Sequence, residues 1–172
     1  MKCAVFIDGS NVFYSAQHLG VRLDYTKLLE VLVGAERELL RAFFYTGEKE
    51  YDEKQQKFLL WMRRNGFRVI SKPLVERDGV RKADLDVNIA TDMMIIGNKV
   101  DTIILVSGDE HFAYPLSVLA QRGIRIEVAG FRHSSANRLK DCADRYIDLD
   151  SLLDRFTKAT IYDEEDTDDR LV

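Results

Sequence analysis

Proline and cysteine are scarce in this sequence, with two of each in 172 residues, and glycine contributes only ten. Such a composition excludes a collagen-like or low-complexity chain. Cys3 and Cys142 are too few for a disulfide framework and lack zinc-ligand spacing, so a reducing, cytoplasmic compartment is expected. No apolar run approaches the roughly 20 residues that a spanning helix requires. Met1-Lys2 leads straight into a strand-like run rather than a secretory signal, and no membrane partner is expected. What is present is 46% hydrophobic and 31% charged residues, the profile of a globular domain with a sizeable core.

The formal net charge of −4 is unevenly spread. Residues 163–172 hold six acids and one base, so the remainder of the chain is close to neutral. Residues 1–155 read as one domain and residues 156–172 as an acidic, disordered, solvated tail. A sharper alternative is that this tail competes with nucleic acid for a basic surface.

The body alternates two periodicities. Strand-like runs occupy 3–8, 39–47, 67–76, 101–109 and 124–130, with a last extended segment at 145–149. Helical spacing covers 11–19, 25–33, 52–65, 84–97, 111–122 and 134–142, and several of these close on Gly or Asn-Gly. Asp78-Gly79 marks a turn between 76 and 82. Strands separated by helices imply βαβ units, hence an α/β protein with a three-layer α/β/α sandwich around a mainly parallel sheet. Tyr51, Phe58 and Trp61 read as packing groups, and Tyr14 as the aromatic suited to stacking.

In an open parallel sheet, ligands bind beyond the carboxyl ends of the strands. Asp8 ends the first strand and Asp109 follows the strand at 101–107, while Asp84 and Asp86 stand where the helix at 84–97 begins. Several carboxylates on one rim require a compensating cation, and oxygen ligands select Mg²⁺ or Mn²⁺. Taken singly, each acid could equally cap a helix or complement its dipole. Asp92, inside the helix beside Met93, must be paired, coordinated or structural.

Three segments carry a family resemblance: Phe6-Ile7-Asp8-Gly9-Ser10-Asn11, Lys82-Ala83-Asp84-Leu85-Asp86-Val87 with Asp92 beyond it, and Ser107-Gly108-Asp109-Glu110-His111-Phe112. In order and spacing they resemble the NYN domain, the LabA-like branch of the PIN-like nuclease superfamily, over about residues 2–150. The resemblance implies a Rossmann-like PIN fold and metal-dependent ribonuclease chemistry on RNA. A small rim site suits a flexible single strand better than a duplex. Asp8, Asp86 and Asp109 would then bind metal and act in catalysis, with Asp84 as a further candidate ligand. Asn11 and Ser10 would orient the site or contact phosphate, and Asp92 would support it. At the position of His111 the family commonly has a second Asp. Imidazole binds Mn²⁺ better than Mg²⁺, so His111 either tilts the metal preference, contacts phosphate, signals weakened catalysis or is simply a solvent-facing helix residue.

Arg81, Lys82, Arg132 and Arg138 are the cations expected to hold the strand, each against the alternative of a solvated surface charge. A non-catalytic RNA-binding or regulatory module and a homo-oligomer both stay open. An aspartyl-phosphate phosphatase is disfavoured because Ser10 stands where a second acid would be needed. A dinucleotide-binding oxidoreductase is disfavoured because no Gly-x-Gly-x-x-Gly turn follows the first strand.

Overall fold

The computed structural model of the protein describes residues 1–158. The acidic segment at 163–172 and its expected disorder lie outside the described residues, as do the side chains of Arg81 and Lys82.

Strand β1 (Lys2–Asp8) runs directly into helix α1 (Gly9–Leu19). A short β2 (Arg22–Leu23), helix α2 (Tyr25–Val33), strand β3 (Glu38–Glu48), helix α3 (Glu53–Arg64) and strand β4 (Phe67–Pro73) follow. The hairpin β5 (Val75–Arg77) and β6 (Val80–Lys82) precedes helix α4 (Asp86–Ile96). Strand β7 (Thr102–Val106), helix α5 (Ala113–Gln121), strand β8 (Arg125–Gly130), helix α6 (Asn137–Asp141), strand β9 (Arg145–Asp148), helix α7 (Leu153–Phe156) and β10 (Thr157–Lys158) complete the described chain.

The central sheet has the order β4-β3-β1-β7-β8-β9, and every neighbouring pair is parallel. Alternation along β1 explains the layers. Cys3, Val5 and Ile7 pack in one core with Val12 of α1, Leu28 and Leu32 of α2, Leu59 and Met62 of α3, and Phe156 of α7. Ala4 and Phe6 face the other core, with Ile89 and Met93 of α4, Leu116 of α5 and Leu139 of α6. Successive side chains of a strand point to opposite faces, so one central strand feeds both cores. The fold is thus a three-layer α/β/α sandwich of PIN-like type.

Several boundaries differ from those read in the sequence. The strand expected over 67–76 ends at Pro73, and the chain turns into the β5–β6 hairpin around Asp78, whose φ is +52°. The helix expected from 84 starts at Asp86. The run at 107–109 leaves β7, and a 3₁₀ turn at Glu110–Phe112 precedes α5. The helix expected over 134–142 is divided into a 3₁₀ turn at Arg132–Ser134 and α6. Phe156 is fully buried, its carbonyl accepts from the Asp24 amide, and β10 pairs with β2. Tyr51, read as a packing group, stands 94% exposed with a φ of +58°, because it lies in the turn before α3. Among the described residues, no helix is long and apolar enough to cross a membrane.

Candidate metal centre

The sheet order reverses direction at β1: β3 and β4 lie to one side, β7, β8 and β9 to the other. The crevice at such a switch point is where open α/β sheets bind ligands. Ile7 pairs with Val106, so Asp8 and Ser107 leave adjacent strands side by side. The Ser107 hydroxyl donates to Asp8 Oδ2 at 2.8 Å and accepts from the Asp109 amide at 3.2 Å. One buried hydroxyl therefore ties the acid of the first strand to the loop carrying the second.

Backbone geometry makes this arrangement possible. Asp8 is the N-cap of α1, its carboxylate accepting from the Asn11 amide at 3.4 Å. Gly9 must lack a side chain, because a Cβ there would collide with the Tyr45 carbonyl and the Phe44 ring on β3. Asn11 Oδ1 accepts from the Gly108 amide at 3.1 Å, so this amide side chain holds the 107–109 loop. Asp109 in turn caps the 3₁₀ turn by accepting from the His111 amide at 2.9 Å.

Helix α4 packs against that turn and brings Asp86 to it. Donor atoms of Asp86, Asp109 and His111 all lie within 4.8 Å of one another. His111 Nδ1 is 3.1 Å from Asp109 Oδ1 and 3.4 Å from Asp86 Oδ2. Asp8 is outside this 4.8 Å group, with its oxygens on Ser107 and Asn11. Asp84 is exposed, and its carboxylate accepts from the Asp86 amide at 3.1 Å, which fixes the entry to α4. Asp92 accepts from the Tyr45 hydroxyl at 2.8 Å, the partner that an acid on this helix requires.

The electrostatics reflect burial first and crowding of like charge second. Burial pushes the Asp8 carboxyl up to about 6, with Asp86 and Asp109 adding to the shift, against the opposing bonds from Ser107 and Asn11. Asp86 is also raised, first by burial, then by the charges of Asp109 and Asp84. The His111 imidazole is raised, chiefly by Asp109. Carboxylates that resist ionising together are what a divalent cation relieves. Two carboxylates with one imidazole form a mixed oxygen and nitrogen donor set that could hold a divalent cation.

The remaining expected contacts are dispersed. Ser10 is exposed on the first turn of α1. Arg132 grips Asp148 through Nε at 2.8 Å and Nη2 at 2.5 Å, and this ion pair joins the turn after β8 to the end of β9. Arg138 is exposed on α6, which packs on the 110–112 turn, and it has no polar partner among the described residues. Arg81 and Lys82 lie in β6. Sequence reasoning gave no role to Ser107 or Tyr45. Ser107 was visible as the polar residue ending an otherwise apolar strand. Tyr45 had no sequence signal, since its bond to Asp92 spans 47 residues.

The family model for the NYN domain matches residues 2–150. The chain belongs to the NYN domain family. Within it, the chain is 33% identical over 159 residues to the low amplitude and bright protein LabA of Synechococcus elongatus, covering 88% of this chain and 85% of that protein. A Vibrio parahaemolyticus protein of unknown function has a crystal structure that superposes with a TM-score of 0.80 at 34% identity. That match covers 91% of this chain and 96% of the other. Both likenesses span most of the body that builds the acidic rim.

Proposed function

We propose that this NYN domain is a divalent-metal-dependent ribonuclease that hydrolyses phosphodiester bonds in single-stranded RNA. The observation that carries the reading is the meeting of Asp86, Asp109 and His111 donor atoms at the switch point, with Asp8 close enough to be perturbed by both acids. Asp8, Asp86 and Asp109 would hold Mg²⁺ or Mn²⁺, with His111 as a fourth donor and Asp84 setting the backbone that presents Asp86. A bound ion of this kind lowers the pKa of water and offsets charge on a phosphoryl group. The chain's own part is to keep three acids ionised and correctly aimed. Ser107 and Asn11 do so for Asp8, and the capped turn at 110–112 does so for Asp109. Arg138, with Arg81 and Lys82 on the neighbouring hairpin and Ser10 on α1, would receive the phosphates of the strand.

A second reading, an RNA-binding module without cleavage, draws on His111. A protonated imidazole within 3.4 Å of both acids neutralises part of their charge without a metal. One assay separates the two. A short single-stranded RNA is incubated with Mn²⁺, Mg²⁺ or EDTA, with Asp8→Asn and Asp109→Asn beside the wild type. Metal-dependent cleavage lost in both variants supports the nuclease. Cleavage that survives both substitutions refutes it, and binding without cleavage favours the module.

A further inference from the structure

Beyond the acids, α1 carries a second feature. Tyr14 and His18 stand one turn apart on its exposed side, and the turn after β8 lays His133 against both. The His18 and His133 rings stack at 4.1 Å with 23° between their planes. Tyr14 meets His133 at 6.1 Å and a 43° tilt. Tyr14 is 60% exposed, and its hydroxyl has no partner among the described residues. Tyr45 and Tyr146 differ, since their hydroxyls are committed to Asp92 and Ser135.

The ring cluster is held rigidly. Ser15, fully buried beside Tyr14, shares a 2.8 Å hydrogen bond with Ser134, the residue after His133. A Cβ on Gly108 would collide with the Ser134 carbonyl, so the same turn is also seated on the loop that carries Asp109. Tyr14 lies six residues beyond Asp8, about 9 Å along the axis at 1.5 Å per residue. That is within the reach of a few nucleotides of an unpaired strand. An aromatic face fixed at this distance from a phosphodiester site suits an unpaired base, because every base has a face to stack and none must be read by its edge.

We infer that Tyr14, buttressed by the His133–His18 stack, is a base-stacking platform for a single-stranded nucleic acid whose backbone enters the acidic rim. This rests on the nuclease reading for the position of the backbone but not for the platform itself. The Tyr14 and His133 rings are already in contact, so no base fits between them. The base lies on the outer face of Tyr14, and the imidazole pair fixes the tilt of that face. The platform accordingly selects unstacked strands over duplex and is tolerant of sequence.

The test is fluorescence anisotropy in EDTA, with a labelled short single-stranded RNA and a second strand of equal length and charge made of abasic residues. Tyr14→Ala is expected to weaken binding of the normal strand by about tenfold. Tyr14→Phe restores it, and the abasic strand binds wild type and Tyr14→Ala alike. Equal affinity of wild type and Tyr14→Ala for the normal strand overturns the platform, as does an equal loss on the abasic strand. Cleavage of the normal strand by the wild type in Mn²⁺ is scored separately. Base-dependent binding through Tyr14 with no cleavage leaves the platform standing and removes the nuclease. Cleavage without any contribution from Tyr14 does the reverse.

Discussion

The Ser107 hydroxyl donates to Asp8 Oδ2 at 2.8 Å while it accepts from the Asp109 amide. This single group joins two strand ends that lie 99 residues apart. It is also one of the bonds that hold the Asp8 pKa down against burial. Ser107→Ala removes it. Asp8 then rises further above its present value of about 6, and the acidic limb of the pH–rate profile for RNA cleavage moves to higher pH. Thermal unfolding should register a loss of about 1–2 kcal/mol, the cost of a buried polar contact.

Asp8 has a folded pKa of about 6 against an ordinary value of 3.8. A raised folded pKa means that stability is fully present below the unfolded value and declines as pH rises through the folded one. The metal-free protein should therefore lose stability from about pH 4 to pH 6 through this group. Asp8→Asn should flatten that slope and stabilise the metal-free protein at pH 7.5 by up to ~2 kcal/mol, while abolishing metal-dependent cleavage. Urea denaturation at several pH values measures the first effect.

Metal binding competes with these same protons. Asp8 and Asp86 are raised as carboxyls and His111 is raised as an imidazole, so all three favour the protonated form more than usual. Mn²⁺ affinity, measured by calorimetry, should increase as pH rises through 6, with proton release on binding. His111→Asp replaces a nitrogen donor by an oxygen donor. It should shift the preference of the cleavage reaction from Mn²⁺ towards Mg²⁺, and titration with each ion reads the ratio.

At the opposite end of the sheet, Arg37 sits 3.0 Å from the nearly fully buried Glu127 and donates to the carbonyls of Leu32 and Val33. Arg37→Ala leaves a buried charge whose remaining ion-pair partner among the described residues is Arg125 at 3.2 Å. A destabilisation of about 3 kcal/mol is expected, measurable by urea denaturation. Arg37 immediately precedes β3, whose Glu38 pairs with Lys2 at the end of the sheet opposite the acidic rim, so the residual cleavage rate of the folded fraction should match wild type.

Gly108→Ala tests the loop directly. Its Cβ would meet the Ser134 carbonyl and the Ser135 backbone, neither of which can swing aside like a flexible side chain. The loop at 107–109 or the turn at 132–134 must move. A lowered melting temperature and a weakened Mn²⁺ affinity should appear together, since Asp109 is carried by that loop.

Much of this protein was determined by sequence alone. The alternation of short apolar runs with helical spacing is a local pattern, and burial on both faces of a parallel sheet leaves a plain record in Cys3–Ile7 and Ile103–Val106. The acids near strand ends were legible for the same reason: Asp8 ends one apolar run, and Asp109 follows another that Ser107-Gly108 closes. Tertiary structure alone decided which acids meet. Strand order placed β7 beside β1, and Asp86 and His111 came together across α4 and the 110–112 turn. It also committed Asp84 to an amide and Arg132 to Asp148, and it stacked His18 on His133. Contacts of that kind join residues far apart in the chain, with no periodicity along it, so they exist only once the layers have packed.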